Sequence, residues 1–262
     1  MAEPLLEMKN VSHVYVNDKG AALAVDQFSL TMQSGEFVSL VGPSGCGKTT
    51  VLSIIAGLLK PVAGEVKIDG KPVSQPSGEV GYMLQQDYLF PWRTIMENAT
   101  IGLELTGKRS PEREKYVLRL LLEMGLGNHI HALPHQLSGG MRQRVALVRT
   151  LATEPNLLLL DEPFSALDYQ TKMQLEDLVW QTLRDRNKTV LLVTHDIAEA
   201  IAMSDRVIVM GRNPGRIRHQ VDIPEAIRET TPFHAREKSG FHELFHQIWK
   251  YLEESTSEGA RP

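Results

Sequence analysis

The octet Gly42-Pro43-Ser44-Gly45-Cys46-Gly47-Lys48-Thr49 constrains this chain more than any other stretch of its 262 residues. It fits G-x-x-x-x-G-K-[ST] and follows Phe37 to Val41 (FVSLV), a short apolar run that reads as a strand. A helical pattern begins at Lys48 and stops before Pro61. Strand, glycine-rich turn and helix, in that order, make a phosphate site. The glycines let successive backbone N–H groups point inward around an anion. The helix N-terminus adds partial positive charge. Lys48 can reach β- and γ-phosphates, and Thr49 offers a hydroxyl to Mg²⁺. Gly42 through Thr49, with the adjoining Thr50, are the candidate phosphate-binding residues.

A second element is Leu157-Leu158-Leu159-Leu160-Asp161-Glu162, an apolar strand ending in two carboxylates, with Asp161 lying 161 − 48 = 113 residues after Lys48. Such a strand delivers Asp161 beside a metal and Glu162 to a water in line with the γ-phosphorus. Further strands are expected at Leu6 to Val16, Ala24 to Met32, Thr189 to Thr194 and Arg206 to Met210. Asn17-Asp18-Lys19-Gly20 is a turn signal between the first two. The continuous apolar runs suit buried parallel strands with helices between them. Ser110-Pro111, with Glu112 and Glu114, signals a helix start, and Val117, Leu118, Leu121 and Leu122 follow as a stripe. A second helix begins near Ser138, with Met141, Val145, Val148 and Leu151/Ala152 on one face.

The stretch Leu137-Ser138-Gly139-Gly140-Met141-Arg142-Gln143-Arg144 is a second glycine-bearing helix start, hence a second anion site. With the octet and the Asp161-Glu162 strand, this LSGGMRQR segment resembles the signature motif of the ATP-binding subunits of ABC (ATP-binding cassette) transporters. The resemblance runs from about residue 5 to 220 with its motifs in order. It implies a P-loop NTPase (RecA-like) α/β core with N-terminal antiparallel strands and an inserted α-helical signature subdomain. The expected parts are 1–86 and 153–230 for the core, 87–152 for the helical subdomain and 231–262 for a C-terminal helical tail.

The resemblance also implies ATP and Mg²⁺ as cofactors. Thr49, Asp161 and Gln85 would touch the metal, the last with an uncertainty of one residue against Gln86. Glu162 is implied as the water-handling carboxylate and His195 as the switch histidine. Tyr15 resembles the aromatic residue that stacks on adenine, with a core or sheet-face role as its alternative. Ser165-Ala166-Leu167-Asp168 resembles the loop at the dimer seam. Ser138, Gly139 and Gly140 would complete the nucleotide site of a second cassette, in a homodimer or a dimer with a similar subunit.

Leu89-Phe90-Pro91-Trp92 with Thr94, and Asn213-Pro214-Gly215-Arg216-Ile217, are similar to segments of importers for nitrate, sulfonates, taurine and related solutes. The implied partners are a separate integral-membrane permease and, indirectly, a periplasmic or lipid-anchored solute-binding protein. The implied location is the cytoplasmic face of the inner membrane. The 113-residue interval disfavours DNA-repair ATPases, which hold long coiled coils there. A single set of motifs disfavours two-cassette translation factors. An exporter or lipid-transport ATPase is the alternative reading.

Composition sets further bounds. The chain is 42% hydrophobic and 23% charged, a globular balance with material for a core. Its net charge of −4 argues against holding nucleic acid by general basicity. No stretch approaches the roughly 18 apolar residues of a membrane span, and Met1 to Asn10 has no apolar signal region. The single cysteine excludes an internal disulfide. Its place near a helix N-terminus favours a reactive thiolate. His129, His131 and His135 lack a carboxylate or thiol partner and read as loop residues rather than metal ligands. Arg212 to Arg218 reads as a solvated turn. Phe241, Leu244, Phe245, Ile248 and Leu252 form an amphipathic helical stripe, expected to pack on the core.

Overall fold

A computed structural model describes residues 3–17 and 20–257; Asp18 and Lys19 of the expected first turn lie outside them. The chain opens with a hairpin of β1 (Leu6–Asn17) and β2 (Gly20–Met32). Its order continues β3 (Phe37–Val41), α1 (Lys48–Ile55), β4 (Ala63–Ile68), β5 (Lys71–Pro72) and β6 (Val80–Met83). Then come three helices, α2 (Ile95–Leu105), α3 (Pro111–Glu123) and α4 (Gly139–Leu151). The second half runs β7 (Leu157–Asp161), α5 (Tyr169–Asp185), β8 (Thr189–Val193), α6 (Ile197–Met203), β9 (Arg206–Gly211) and β10 (Arg216–Asp222). It ends with α7 (Glu225–Arg228), α8 (Pro232–Ala235) and α9 (Phe241–Ser257).

Two sheets result. The first is antiparallel, with order β2-β1-β4-β5. The second has order β10-β9-β3-β8-β7-β6 and is parallel except for β10. The parallel strands are buried on both faces, so their side chains alternate between two cores. Leu157 and Leu159 of β7 join Leu40, Leu52 and Phe28 between the sheets. Leu158 and Leu160 face the other way, toward Ile95, Leu103 and Val145 of the three-helix layer. Each fully buried leucine contributes about 1.5–3 kcal/mol to stability. A third core joins Val209, Ile201 and Val221 to Phe241 and Ile248 of α9, so the C-terminal stripe packs inward as expected.

The first helix starts at Lys48 and stops before Pro61 as expected: it ends at Ile55, and Gly57 takes a left-handed φ of 72° that turns the chain. Other local expectations change. In α3 the buried residues are Val117, Leu120 and Leu121, and Met124 follows at its end. That i, i+3, i+4, i+7 row leaves Leu122 exposed and Leu118 only half-buried. Arg212 to Arg218 is not simply a solvated turn. Arg216 opens β10 and pairs with Asp26, while Gly215 bonds Ala24 and Asp26 through its backbone. A Cβ on Gly215 would sit 2.1 Å from the Cys46 carbonyl oxygen, so only glycine lets this loop back onto the octet.

Candidate active site

Parallel pairing puts the carboxyl ends of β3, β6, β7 and β8 on one edge of the sheet, where ligands of open α/β sheets bind. The chain leaves β3 into the Gly42–Thr49 octet, β6 toward Gln85, β7 at Asp161-Glu162 and β8 toward His195. Four segments distant in sequence thereby converge.

A cleft of about 610 Å³ opens there. Its walls include Tyr15, Gly42, Ser44, Gly45, Gly47, Lys48, Thr49, Thr50, Glu162, His195 and Asn213. A second cleft of the same volume, among Lys71, Glu79, Lys108 and Arg113, contains none of these, so chemistry rather than size marks the site. Gly47 caps α1 with φ 95°, a conformation that favours glycine, and no side chain bonds that helix N-terminus. The Lys48 ammonium is nearly buried and donates to the Gly42 and Pro43 carbonyls at 2.7 and 3.2 Å. It therefore lies folded against the loop that a phosphate would occupy. Tyr15 is half-exposed, with its hydroxyl 3.2 Å from that of Thr50.

The acidic strand end forms the opposite wall. Thr49 Oγ1 donates to Asp161 Oδ2 at 3.2 Å, and the Tyr82 hydroxyl donates to the same oxygen at 3.4 Å. Burial raises the Asp161 carboxyl above the usual range; the Thr49 bond opposes this and the Glu162 charge adds to it. Burial, and then Asp161, push the Tyr82 phenol up to about 12. A buried carboxylate with a hydroxyl neighbour and the Gln85 amide nearby is a hard-oxygen donor set, and it fits Mg²⁺.

Glu162 is a non-glycine residue at φ 47°, held by its N–H donating to the Val193 carbonyl at 2.8 Å. The turn aims its side chain across the strand ends. Gln85 Nε2 donates to Glu162 Oε2 at 3.0 Å, and His195 Nδ1 lies 3.2 Å from the same oxygen. Of the two glutamines, Gln85 is the one bonded to Glu162.

Two groups of named residues stand apart. Ser138 and Gly139 are exposed, and Ser138 Oγ accepts from the Met141 N–H as the cap of α4. Neither they nor Gly140 line the cleft. Cys46 does not line the cleft. Its side chain is 1% exposed within the inter-sheet core, and burial pushes its thiol up. Lys48 opposes that rise without overturning it. The expected reactive thiolate is thus corrected: desolvation outweighs the helix N-terminus.

Other contacts were not read from the sequence. Gln143 Nε2 donates to the Gln85 carbonyl at 3.3 Å, Arg142 pairs with Asp87, and Arg149 donates to the Asp87 and Tyr88 carbonyls. All three residues lie on α4, so the segment carrying Gln85 is clamped to the helix that begins at Ser138. The polar side chains interrupting the apolar stripe of α4 were the available signal.

Strand, glycine loop, helix and buried acidic strand end define a P-loop nucleoside-triphosphatase. Residues 25–165 match the family described as ABC transporter. The chain is 50% identical over 247 residues to YtlC, an ABC transporter ATP-binding protein of Bacillus subtilis, covering 94% of this chain and 95% of that one. It is 39% identical over 251 residues to the taurine import ATP-binding protein TauB of Yersinia pestis, covering 92% and 98%. Among solved structures it is similar to the dimeric cassette MJ0796 bound to ADP and Pi, with TM-score 0.74, 33% identity and coverage of 84% and 99%. The chain belongs to the ABC transporter ATP-binding family and is an ATP-hydrolysing subunit.

Proposed function

We propose that this subunit drives an importer for a small solute of the nitrate, sulfonate or taurine kind. Two cassettes close around two ATP molecules, each completed by Ser138, Gly139 and Gly140 of the opposite subunit. The carrying observation is the meeting of Gln85, Glu162 and His195 at the cleft that the phosphate loop lines.

Glu162 accepts a proton from, or orients, the attacking water, while Gln85 and His195 hold its carboxylate. Lys48 and the loop N–H groups stabilise the phosphate charge that develops. Thr49, Asp161 and Gln85 hold Mg²⁺, which when bound neutralises phosphate charge. Tyr15 supports the base. The clamp of Arg142, Gln143 and Arg149 ties the Gln85 segment to α4, so a shift at the nucleotide is passed to the exposed Tyr88 and Trp92.

The division into core, helical part 87–152 and tail follows from this reading. Among the described residues no helix is long and apolar enough to cross a membrane. Attachment to a membrane permease, at the cytoplasmic face, is the corresponding proposal, with a solute-binding protein outside. The taurine name of one relative and the Leu89-Phe90-Pro91-Trp92 segment support import. Purification from the native membrane tests the reading. A co-purifying permease and solute receptor are expected; an isolated subunit, or an exporter, overturns it.

A further inference from the structure

Behind the His195 turn lies a cluster of charges that the chemistry above does not use, with Glu176 and Glu199 buried and Lys172, Asp196 and Arg236 partly exposed. Lys172, in the first turn of α5, contacts Asp196 Oδ2 at 2.7 Å and Glu199 Oε2 at 2.8 Å. Asp196 follows His195 directly and caps α6, accepting from the Ala198 and Glu199 N–H groups at 2.8 and 3.1 Å. One turn further along α5, Glu176 is 0% exposed. It lies 3.7 Å from Lys172 and accepts a hydrogen bond from Arg236 Nη2 at 2.6 Å. Arg236 ends α8, and α8 is also fixed to α5 by the Phe233 N–H donating to Asp177 at 2.8 Å. The cluster thus has three carboxylates and two cations. One oxygen each of Glu176 and Glu199 has no hydrogen-bond partner.

This count sets up a competition. Lys172 can serve the Asp196 cap or the ionised Glu176, and an unpaired buried carboxylate attracts the nearest ammonium strongly. Arg236 satisfies Glu176 from the C-terminal tail, which leaves Lys172 with Asp196 and Glu199. We propose that Arg236 is a positioning residue for hydrolysis: by occupying Glu176 it keeps Lys172 on Asp196 and so fixes the turn that presents His195 to Glu162. The tail is thereby part of the catalytic apparatus without touching the nucleotide. This inference rests on the assignment of His195 and Glu162 to hydrolysis made above.

The competition depends on proton uptake by Glu176. Burial pushes its carboxyl up to about 7, against the pull of Arg236 and with a further rise from Glu199. The charged groups facing it are Arg236 from the tail, Lys172 from α5 and Glu199 from α6. Without Arg236 the group holds its proton to higher pH. When neutral it makes no claim on Lys172, and when ionised it competes.

The test measures kcat and KM for ATP of the full chain across about pH 6.5 to 9, a window that brackets this titration. R236A is expected to match the wild type at the acid end. Its kcat should fall about fivefold toward the alkaline end, with KM little changed. E176Q in the R236A background should restore kcat, because the amide cannot ionise. R236K should rescue in part. A purely structural tail would lower the thermal midpoint in R236A yet give a pH-independent activity ratio, and E176Q would not rescue; either result overturns the proposal. H195A provides the separate control. An active H195A overturns the assignment of His195 itself, whereas an inactive H195A beside a pH-flat R236A overturns only the role of the tail.

Discussion

Gln85 and Glu162, 77 residues apart in sequence, are joined by a 3.0 Å hydrogen bond from the Gln85 amide to the Glu162 carboxylate. The bond crosses the ends of two adjacent parallel strands, β6 and β7. It links Glu162 to the segment that α4 clamps through Arg142, Gln143 and Arg149, so in the proposed mechanism hydrolysis and movement of the helical layer share one contact.

The first expectation concerns that acid. Glu162→Gln retains shape and removes the acceptor charge. Steady-state hydrolysis should fall about 10²-fold or more. ATP binding should persist, and solution mass with ATP should show a dimer that accumulates. Near-normal turnover would remove Glu162 from the chemistry.

The signature residues lie outside the cleft of their own chain, which motivates the second test. Lys48→Ala damages a site in cis, and Ser138→Arg damages the partner's. A heterodimer of the two single variants concentrates both faults in one site and leaves the other intact. A heterodimer with both changes in one subunit damages both sites. With Glu162→Gln in every subunit to hold the closed state, trapped ATP should be higher in the first design. Equal occupancy argues against completion in trans.

Much of this arrangement was legible in the sequence. Phe37–Val41, Leu157–Asp161 and Thr189–Val193 are buried at every position, so their sequences are mostly apolar and do not alternate with polar residues. Their ends carried the chemistry, so the motifs and the strand edge were found together. The elements missed carry weaker patterns. In β10, RIRHQVD buries only Val221 and half-buries Ile217 and His219 at a sheet edge, and its polar residues mask that alternation. In α2 the start signal was present as Thr94 and Glu97, which form a reciprocal capping box. Cys46 failed for a different reason. Sequence gives its distance from a helix end but not which way its side chain points, and that direction is into the core.

The burial of Cys46 reverses what labelling should show. A bulky maleimide is expected to leave the folded protein unmodified with or without Mg·ATP, and to react fully in denaturant. Cys46→Ala should keep ATP binding, because the loop contributes its backbone, while stability drops by roughly 1–2 kcal/mol for the lost packing. Rapid labelling that nucleotide blocks would restore the exposed-thiol reading.

Asn98 holds the segment after Gln85 in shape. It is fully buried in α2, accepts from the Phe90 N–H at 2.7 Å, and donates toward the carbonyls of Phe90, Arg93 and Thr94. Asn98→Ala orphans several backbone groups at once. The expected loss is about 3 kcal/mol, seen as a lower denaturation midpoint. Unchanged stability would mean that water replaces the side chain readily.

The last expectation concerns how force leaves the subunit. Trp92 is 73% exposed and Tyr88 is 59% exposed, while Leu89 between them is buried under the helical layer. Phe90 is half-buried, 5.5 Å from the Trp92 ring and beneath the Arg93 guanidinium. The segment thus anchors by Leu89 and Phe90 and presents Tyr88 and Trp92 outward. Exposed aromatics on a loop braced by Asn98 and Arg149 suit a short permease helix. Trp92→Ser should leave ATP binding and thermal stability near wild type, because nothing in the core rests on that ring. Assembly with the permease, or solute moved per ATP hydrolysed, should fall. Phe90→Ser should show the same loss together with lower stability, since its ring is partly packed. If Trp92→Ser assembles and transports normally, the coupling surface lies elsewhere on the subunit. If it unfolds the protein, the ring supports structure that its exposure does not reveal.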